Sequence, residues 1–234
     1  MSKQGNVILL PMELYENTAH TIPPYAIEAI KSCSSFFVEN EKTARRFFKR
    51  VWREMIIDDY RWYTIHKTEE SVKKDFYKEL EAGNTIGIMS EAGCAGIADP
   101  GQILIALAQE KGYPVKPLVG PSSILLALMA SGMNGQSFQF NGYLPIETQE
   151  RRKKIKELET LAIKQERTQI FIETPYRNNQ ILKDIIDTCA KETKLCIAVD
   201  ITANSESIKT KTIREWMVQL PDLHKKPVIF LLGT

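Results

Sequence analysis

The chain has few of the residues that bind metals or form disulfides. No Cys-x-x-Cys pair occurs among its four cysteines, and its three histidines are scattered. These residues are Cys33, Cys94, Cys189 and Cys196, with His20, His66 and His224. Because zinc sites normally group their ligands at short spacings, we expect no metal site. Unpaired cysteines and the absence of a secretory leader predict a reducing, cytoplasmic location.

The chain also lacks a large net charge and a long apolar segment. Its 31 lysines and arginines nearly balance 29 acidic residues, which gives a formal net charge of +2. Only local basic patches could therefore contact a polyanion. No apolar run approaches the roughly 20 residues that span a bilayer, so we expect no membrane contact.

Three familiar catalytic or nucleotide-binding motifs are missing. The absence of G-x-x-x-x-G-K-[ST] argues against a P-loop triphosphate site. No G-x-G-x-x-G follows a predicted strand, which argues against a dinucleotide fingerprint. No G-x-S-x-G nucleophile elbow occurs either.

Strand and helix patterns alternate along the chain. Apolar runs at 6–10, 35–38 and 85–89 alternate with helical patterns at 25–32, 43–54, 71–82 and 103–111. This alternation predicts an α/β fold whose first half is a mainly parallel sheet covered by helices. Further strands are predicted at 63–66, 138–145, 169–173, 195–199 and 227–234, with an edge strand at 207–212 and a helix at 213–220. The length suits two α/β domains, which we place at residues 1–117 and 118–234.

A loop of small residues at 90–101 separates a predicted strand from a predicted helix. It reads S-E-A-G-C-A-G-I-A-D-P-G. Open α/β sheets bind ligands at such loops, and glycines let a ligand approach the main chain. Backbone groups with Glu91 and Asp99 suit a neutral or zwitterionic ligand such as an adenosine derivative. The alternative is an ordinary glycine-rich turn.

Four ordered segments between about residues 84 and 202 resemble one family. Residues 90–101 are similar to S-[DE]-A-G-x-P-x-[IV]-[AS]-D-P-G of the tetrapyrrole-methylase-like S-adenosylmethionine-dependent methyltransferases. Residues 119–123, 138–145 and 172–177 resemble P-G-P-S-A, F-x-F-x-G-[FY]-L-P and Y-E-S-P-H-R of the branch that methylates a cytidine ribose 2′-hydroxyl in small-subunit ribosomal RNA.

The resemblance implies a two-domain α/β methyltransferase, normally a homodimer, with S-adenosylmethionine in the cleft between its domains. It also implies a set of cofactor-binding residues. They are Pro11, Ser90, Glu91, Ala92, Gly93, Ile97, Ser122, Ser123, Glu173 and Thr202. Asp99 is expected to cap the helix that follows the loop. The chemistry requires no metal.

The chain departs from this branch mainly at the substrate side. The family's P-x-G-N is Pro-Met-Glu-Leu at 11–14, A-E-D-T-R keeps only Glu39, and the proline of the central motif is Ala95. The favoured acceptor is a ribosomal RNA ribose, but the acceptor stays open. The alternatives are a tetrapyrrole-like or other small molecule, and a catalytically idle binding protein that keeps the cofactor fold.

An oxygen acceptor would require a general base. Glu39, His66 and Glu173 lie near predicted strand ends and are the candidates, with Glu39 and Glu173 as the catalytic residues we select. The basic helices at 43–54 and 148–167 are candidates for contacting ribosomal RNA. Each of them could equally be a solvated surface face.

Overall fold

The fold is described from a computed structural model, which covers residues 4–65 and 69–234. The chain divides into two compact units, Met1–Ser122 and Ser123–Thr234. This division follows residue 122, whereas the sequence placed it after residue 117. Residues just beyond 117 contact the first unit: the Leu118 amide donates to the Leu9 carbonyl at 3.2 Å, and the Leu118 side chain is buried in that unit's core.

The first unit contains seven strands, four α-helices and three short 3-10 helices within the described residues. The strands are β1 (Asn6–Leu9), β2 (Pro11–Met12), β3 (Ser35–Val38), β4 (Arg61–Thr64), β5 (Thr85–Met89), β6 (Gly93–Cys94) and β7 (Val115–Pro117). The helices are α1 (Pro24–Lys31), α2 (Glu41–Val51), α3 (Lys73–Glu81) and α4 (Gln102–Glu110).

Five of these strands form a parallel sheet in the order β4-β3-β5-β1-β7, which confirms the predicted parallel arrangement. Strand β5 is buried along its whole length because two separate apolar clusters cover the sheet. Parallel strands bring their carboxyl ends to one edge. The loops after β1, β3, β5 and β7 therefore gather there, as in other open α/β sheets that bind ligands.

The second unit contains five strands and four helices. The strands are β8 (Phe138–Tyr143), β9 (Thr168–Ile172), β10 (Lys194–Val199), β11 (Ser207–Thr212) and β12 (Val228–Gly233). The helices are α5 (Ser123–Ser131), α6 (Thr148–Gln165), α7 (Asn178–Thr188) and α8 (Ile213–Trp216).

The second sheet is mixed, in the order β11-β10-β12-β9-β8. Only β8 and β9 are parallel, and the other neighbours are antiparallel. The central strand β12 is apolar and completely buried, and stacked rings of Phe171 and Phe230 lie 5.7 Å apart in the core. Strand β11 lies at the edge, as the sequence predicted.

The helix predicted at 213–220 and the strand predicted at 63–66 differ in extent from the structure. The helix predicted at 213–220 is a single turn that ends at Trp216. The amides of Val218 and Gln219 then donate to residues three positions earlier, and the exposed Met217 and Val218 have no core to cover. The strand predicted at 63–66 is β4, and His66 lies outside the described residues. None of the helices that the structure describes is long and apolar enough to cross a membrane.

Candidate ligand-binding loops and basic helices

The first loop and the central loop are joined by a short antiparallel ladder. Strands β2 and β6 pair Pro11 with Cys94 and Met12 with Gly93. This pairing holds the segment after β1 against the segment after β5, at the carboxyl edge of the first sheet. Two-residue strands leave no periodic pattern in a sequence, so the pairing could not be predicted.

The segment after β7 packs against both of these loops. A Cβ added to Gly120 would lie only 2.1 Å from the Pro11 Cβ. Gly93 has φ of +69°, and a Cβ there would lie 3.4 Å from the Pro121 carbonyl oxygen. The Cys94 thiol also donates to that carbonyl, with a separation of 3.6 Å. Three main-chain segments therefore meet closely, and glycine is required at 93 and 120.

Polar contacts connect the central loop to β3 and α2. The Glu91 amide donates to the Glu39 carboxylate at 2.9 Å, and the Thr43 hydroxyl donates to the Glu91 carboxylate at 3.1 Å. The buried Ser90 hydroxyl donates to the Ala92 carbonyl at 2.9 Å. Glu39, a catalytic candidate from the sequence, thus lies beside the loop and also helps to shape it.

The remaining predicted cofactor residues differ in their surroundings. Ile97 in the central loop is 54% exposed, so its apolar side chain is accessible from solvent. Ser122 ends the first unit, and Ser123 begins α5 in the second unit.

The helix after the loop is capped by Glu69 and not by Asp99, so that prediction was wrong. The Glu69 carboxylate accepts hydrogen bonds from the amides of Gly101 at 2.8 Å, Ile103 at 3.0 Å and Leu104 at 3.2 Å. Glu69 is buried and has φ of +53°. A carboxylate at a helix N-terminus satisfies free amides and complements the helix dipole. Because Glu69 precedes α4 by more than thirty residues, no local sequence signal identifies it.

Asp99 is instead a carboxyl group without a hydrogen-bond partner among the described residues. Burial raises its pKa to about 6, and the nearby charges of Glu39 and Glu91 contribute to the rise. Three carboxyl groups therefore make this part of the loop region electronegative, which favours a ligand that carries positive charge. No group of three or more His, Cys, Asp or Glu residues that could hold a metal occurs in residues 4–65 and 69–234.

Glu173 and Thr202 follow β9 and β10 at the same edge of the second sheet. Glu173 is buried; one carboxylate oxygen accepts from the Thr174 amide at 2.7 Å, and the other lies 3.0 Å from the Arg177 guanidinium. Thr202 has φ of +74°, and its amide donates to the Glu206 carboxylate at 2.7 Å. The structure thus brings these two predicted residues to one edge, where Glu173 is already ion-paired.

The segment before β12 is hydrogen-bonded to the loops at this same edge. The Asp200 amide donates to the Pro227 carbonyl at 3.1 Å, and the Lys225 amide donates to the Pro175 carbonyl at 3.0 Å. The loops that carry Glu173 and Thr202 are therefore tied to one intervening segment. This arrangement holds both loops at the edge of the sheet.

Helix α2 carries basic residues that are mostly paired within the first unit. Arg45 pairs with Glu41 and also lies 5.1 Å from the centre of the Trp62 ring. Arg50 pairs with the buried Glu13 of the first loop. Arg46 lies 3.8 Å from Glu16, a more open ion pair. Much of the predicted basic surface is thus neutralised by the protein's own acids.

Helix α6 shows the same feature more strongly. Arg151 is buried and donates to Asp184 at 2.8 and 2.5 Å, while Arg152 donates to the same carboxylate at 2.8 Å. Burial alone would raise the pKa of Asp184, but the two arginines outweigh this effect and hold the pKa below its ordinary value. Lys154 and Lys156 are paired as well. The basic residues at the start of α6 therefore form ion pairs within the second unit, and those of Arg151 and Arg152 join α6 to α7.

Comparison with solved structures defines the class of fold. Diphthine synthase superposes with a TM-score of 0.69 at 12% identity, covering 99% of this chain and 90% of that one. The methyltransferase CobJ gives a TM-score of 0.63 at 13% identity, covering 100% and 95% of the two chains. The two-unit α/β fold predicted from the sequence is thus the fold of these proteins.

The sequence comparison identifies the family. The pattern of the Tetrapyrrole (Corrin/Porphyrin) Methylases matches residues 19–216, and the chain belongs to this family. Ribosomal RNA small subunit methyltransferase I of Vibrio cholerae serotype O1 is 33% identical over 174 residues, which cover 73% of this chain and 59% of the relative. The protein of the same name from Buchnera aphidicola is 28% identical over 236 residues, with 99% and 79% covered. The chain thus spans about three fifths of the Vibrio relative.

Proposed function

We propose that the chain is an S-adenosylmethionine-dependent methyltransferase. The observation that carries the proposal is the meeting of the loops after β1, β5 and β7, where Gly93 and Gly120 allow close backbone approach. Family membership supports it, as does a structural neighbour, a uroporphyrin-III C-methyl transferase from Thermus thermophilus solved with S-adenyl homocysteine.

The residues present suit this cofactor. S-adenosylmethionine, when bound, supplies a methyl group activated by a positively charged sulfonium. The carboxyl groups of Glu39, Glu91 and Asp99 supply the opposite charge. Main-chain groups of residues 90–93, with Pro11 and Ile97, are proposed to hold it. Ser122, Ser123, Glu173 and Thr202 are candidates for further contacts, each to be tested by its own variant.

The protein's own contribution to catalysis is to align the acceptor and to accept its proton. Alignment of reacting groups can provide a large part of a rate enhancement. Glu39 and Glu173 are the proposed bases for a hydroxyl acceptor. Glu173 forms an ion pair with Arg177 inside the second unit, whereas Glu39 accepts the Glu91 amide through one oxygen and has no ion pair among the described residues. We favour Glu39, because it is the candidate whose carboxylate is not held by a neighbouring cation.

We propose a 2′-hydroxyl of ribosomal RNA as the acceptor. The names of the similar curated proteins support ribosomal RNA as the substrate, and the second candidate, a tetrapyrrole-like small molecule, is supported by the description of the family. RNA contact through the cations of α2 and α6, a homodimeric assembly and a cytoplasmic location are further parts of the proposal. On α2 and α6 the exposed cations without an ion pair among the described residues are Lys42, Lys49, Lys153 and Lys164.

Calorimetry with S-adenosylmethionine tests the enzyme class, and absence of binding at millimolar cofactor would leave the idle binding protein. Methyl transfer from labelled cofactor is then measured on small-subunit ribosomal RNA from a strain that lacks the protein, and in parallel on uroporphyrinogen III. Nuclease digestion and mass spectrometry show whether the label is on a ribose oxygen. Label on the tetrapyrrole alone would replace the RNA proposal.

The choice of base is tested by Glu39→Gln and Glu173→Gln. We expect Glu39→Gln to lower kcat even at saturating cofactor, and the loss of its negative charge to raise the Kd for cofactor as well. Glu173→Gln is expected to destabilise the second unit, since it weakens the ion pair with Arg177. A kcat for Glu39→Gln equal to that of the unmodified protein would remove Glu39 as the base.

A further inference from the structure

The cations of α2 and α6 are mostly paired with the protein's own acids. Two lysines elsewhere in the second unit are not. Lys209 and Lys211 of β11 have no carboxylate within ion-pair distance among the described residues. In the antiparallel ladder Lys209 is opposite Ile197 and Lys211 is opposite Leu195. Two residues apart on an edge strand, both lysines lie on the same face of the sheet, about 7 Å apart along the strand.

These lysines line a groove of about 230 Å³ between β11 and the segment that follows α8. The buried side chains of Ile197 and Val199 lie at its base, and Leu220, which is 44% exposed, contributes the accessible apolar wall. The groove therefore combines positive charge with apolar surface. This combination matches a nucleotide, which presents an anionic phosphate and an apolar base face.

The Lys211 side chain is held in place beside this groove. Its ammonium lies 4.8 Å from the centre of the Trp216 ring, and the Trp216 indole N–H donates to the Leu195 carbonyl at 2.9 Å. The acid nearest in sequence, Glu215, directs its carboxylate to the Thr212 amide and hydroxyl, both at 2.8 Å. Hydrogen bonds from the Thr212 amide and hydroxyl hold the pKa of Glu215 below its ordinary value, and the nearby charge of Lys211 contributes without an ion pair between the two side chains.

One end of the groove adjoins the candidate site loops of the second unit. Ser207, which begins β11 and lines the groove, is paired with Val199 at the end of β10. Asp200 and Thr202 follow Val199 directly. A nucleic-acid strand that lay along the groove would therefore lead towards the loop that carries Thr202.

We propose that this groove binds single-stranded RNA, with phosphates on Lys209 and Lys211 and a base against the exposed side chain of Leu220. The proposal rests on the proposed RNA methyltransferase function and names a contact surface for that substrate. An acidic peptide is the competing occupant, because it too would present repeated negative charge to the exposed edge strand.

The test compares Lys209→Ala/Lys211→Ala with a matched control, Lys74→Ala/Lys78→Ala. The control lysines are exposed on α3 without a counter-ion among the described residues, so the charge change is the same. Anisotropy of a short fluorescein-labelled single-stranded RNA is measured over a range of salt. Loss of two phosphate contacts weakens binding roughly tenfold at physiological salt and reduces the slope of log K against log salt by about 1.4.

The control variant is expected to bind RNA as the unmodified protein does, and Lys209→Arg/Lys211→Arg is expected to keep most of the affinity. Thermal unfolding of each variant checks that the edge strand remains folded. Equal affinities and slopes for both alanine variants would overturn the proposal, as would lysine-dependent binding of a glutamate-rich peptide without binding of RNA. Calorimetry with S-adenosylmethionine on the same samples tests the proposed function separately, since these lysines are outside the cofactor residues.

Discussion

Replacing Glu69 by alanine is expected to destabilise the central loop and the start of α4. The carboxylate accepts three backbone amides, and two of them belong to the buried residues Gly101 and Leu104. Water could reach the amide of the partly exposed Ile103 in the variant, but the two buried amides would lose their only partner. The region affected is the one that we propose to hold the cofactor.

The expected loss in the free energy of unfolding follows from these three hydrogen bonds. A buried amide without a partner costs about 1–3 kcal/mol, so two of them give about 2–6 kcal/mol before relaxation. Losing a helix cap by itself typically costs about 1 kcal/mol and rarely more than about 2. Local fraying of the first turn lets water in and removes part of the larger figure. We therefore expect a loss of about 2–4 kcal/mol in the free energy of unfolding.

The matched control is Glu70→Ala. Glu70 is exposed and pairs only with Lys73 at 2.7 Å, so its loss is expected to cost under about 1 kcal/mol. Glu69→Gln, which keeps one acceptor oxygen, is expected to lie between Glu69→Ala and the unmodified protein. Urea unfolding gives the stability, and amide hydrogen exchange at 101–104 gives the local effect. Equal stability and equal exchange for Glu69→Ala and Glu70→Ala would refute the reasoning.

Three other predictions can be checked with standard assays. Gly120→Ala forces a methyl group against the first-loop proline and is expected to cost about 1–3 kcal/mol, whereas Gly135→Ala, with open space around it, is expected to change stability little in urea titrations. Asp184→Asn leaves the buried Arg151 without its charged partner, and chemical unfolding is expected to show a loss of about 3–5 kcal/mol. Folding lowers the pKa of Asp184, so the stabilisation that its carboxylate provides is present above the ordinary carboxyl range. That stabilisation is lost as the pH falls through the folded pKa. The unmodified protein should therefore lose more stability in acid than Asp184→Asn does. Finally, calorimetry should show weaker binding of S-adenosylmethionine as pH falls from about 7 to about 5, because Asp99 becomes protonated near pH 6 and loses its charge. A Kd that is constant over this range would exclude Asp99 from the electrostatics of binding.

Much of the fold could be predicted because its signals are local. The apolar runs that became β3 and β5 are short, continuous and bounded by turn residues, and strands buried on both faces require this composition. The edge position of β11 followed from its alternating polar sequence. The glycine-rich loop at 90–101 could be found because small residues after a buried strand are a recognisable pattern.

The candidate site was predictable in its segments but not in its contacts. The sequence pointed to Pro11 and Gly93 separately, whereas their pairing through β2 and β6 depends on where the sheet places the two loops. Asp99 was the expected cap because it is adjacent to α4. Glu69 takes that role because it reaches the same helix end from a distant loop. At the start of α4, closeness in sequence therefore did not predict which side chain accepts the hydrogen bonds.

The basic helices α2 and α6 show most clearly what local sequence determines and what only the tertiary structure decides. The sequence by itself determined that α2 and α6 would be helical and rich in arginine and lysine, since periodicity and charge are local properties. Only the tertiary structure decided what those charges do: it buries Arg151 against Asp184 and pairs Arg50 with Glu13. A charge is free or neutralised according to which distant side chains folding brings within a few ångströms, and that information is absent from any local stretch of sequence.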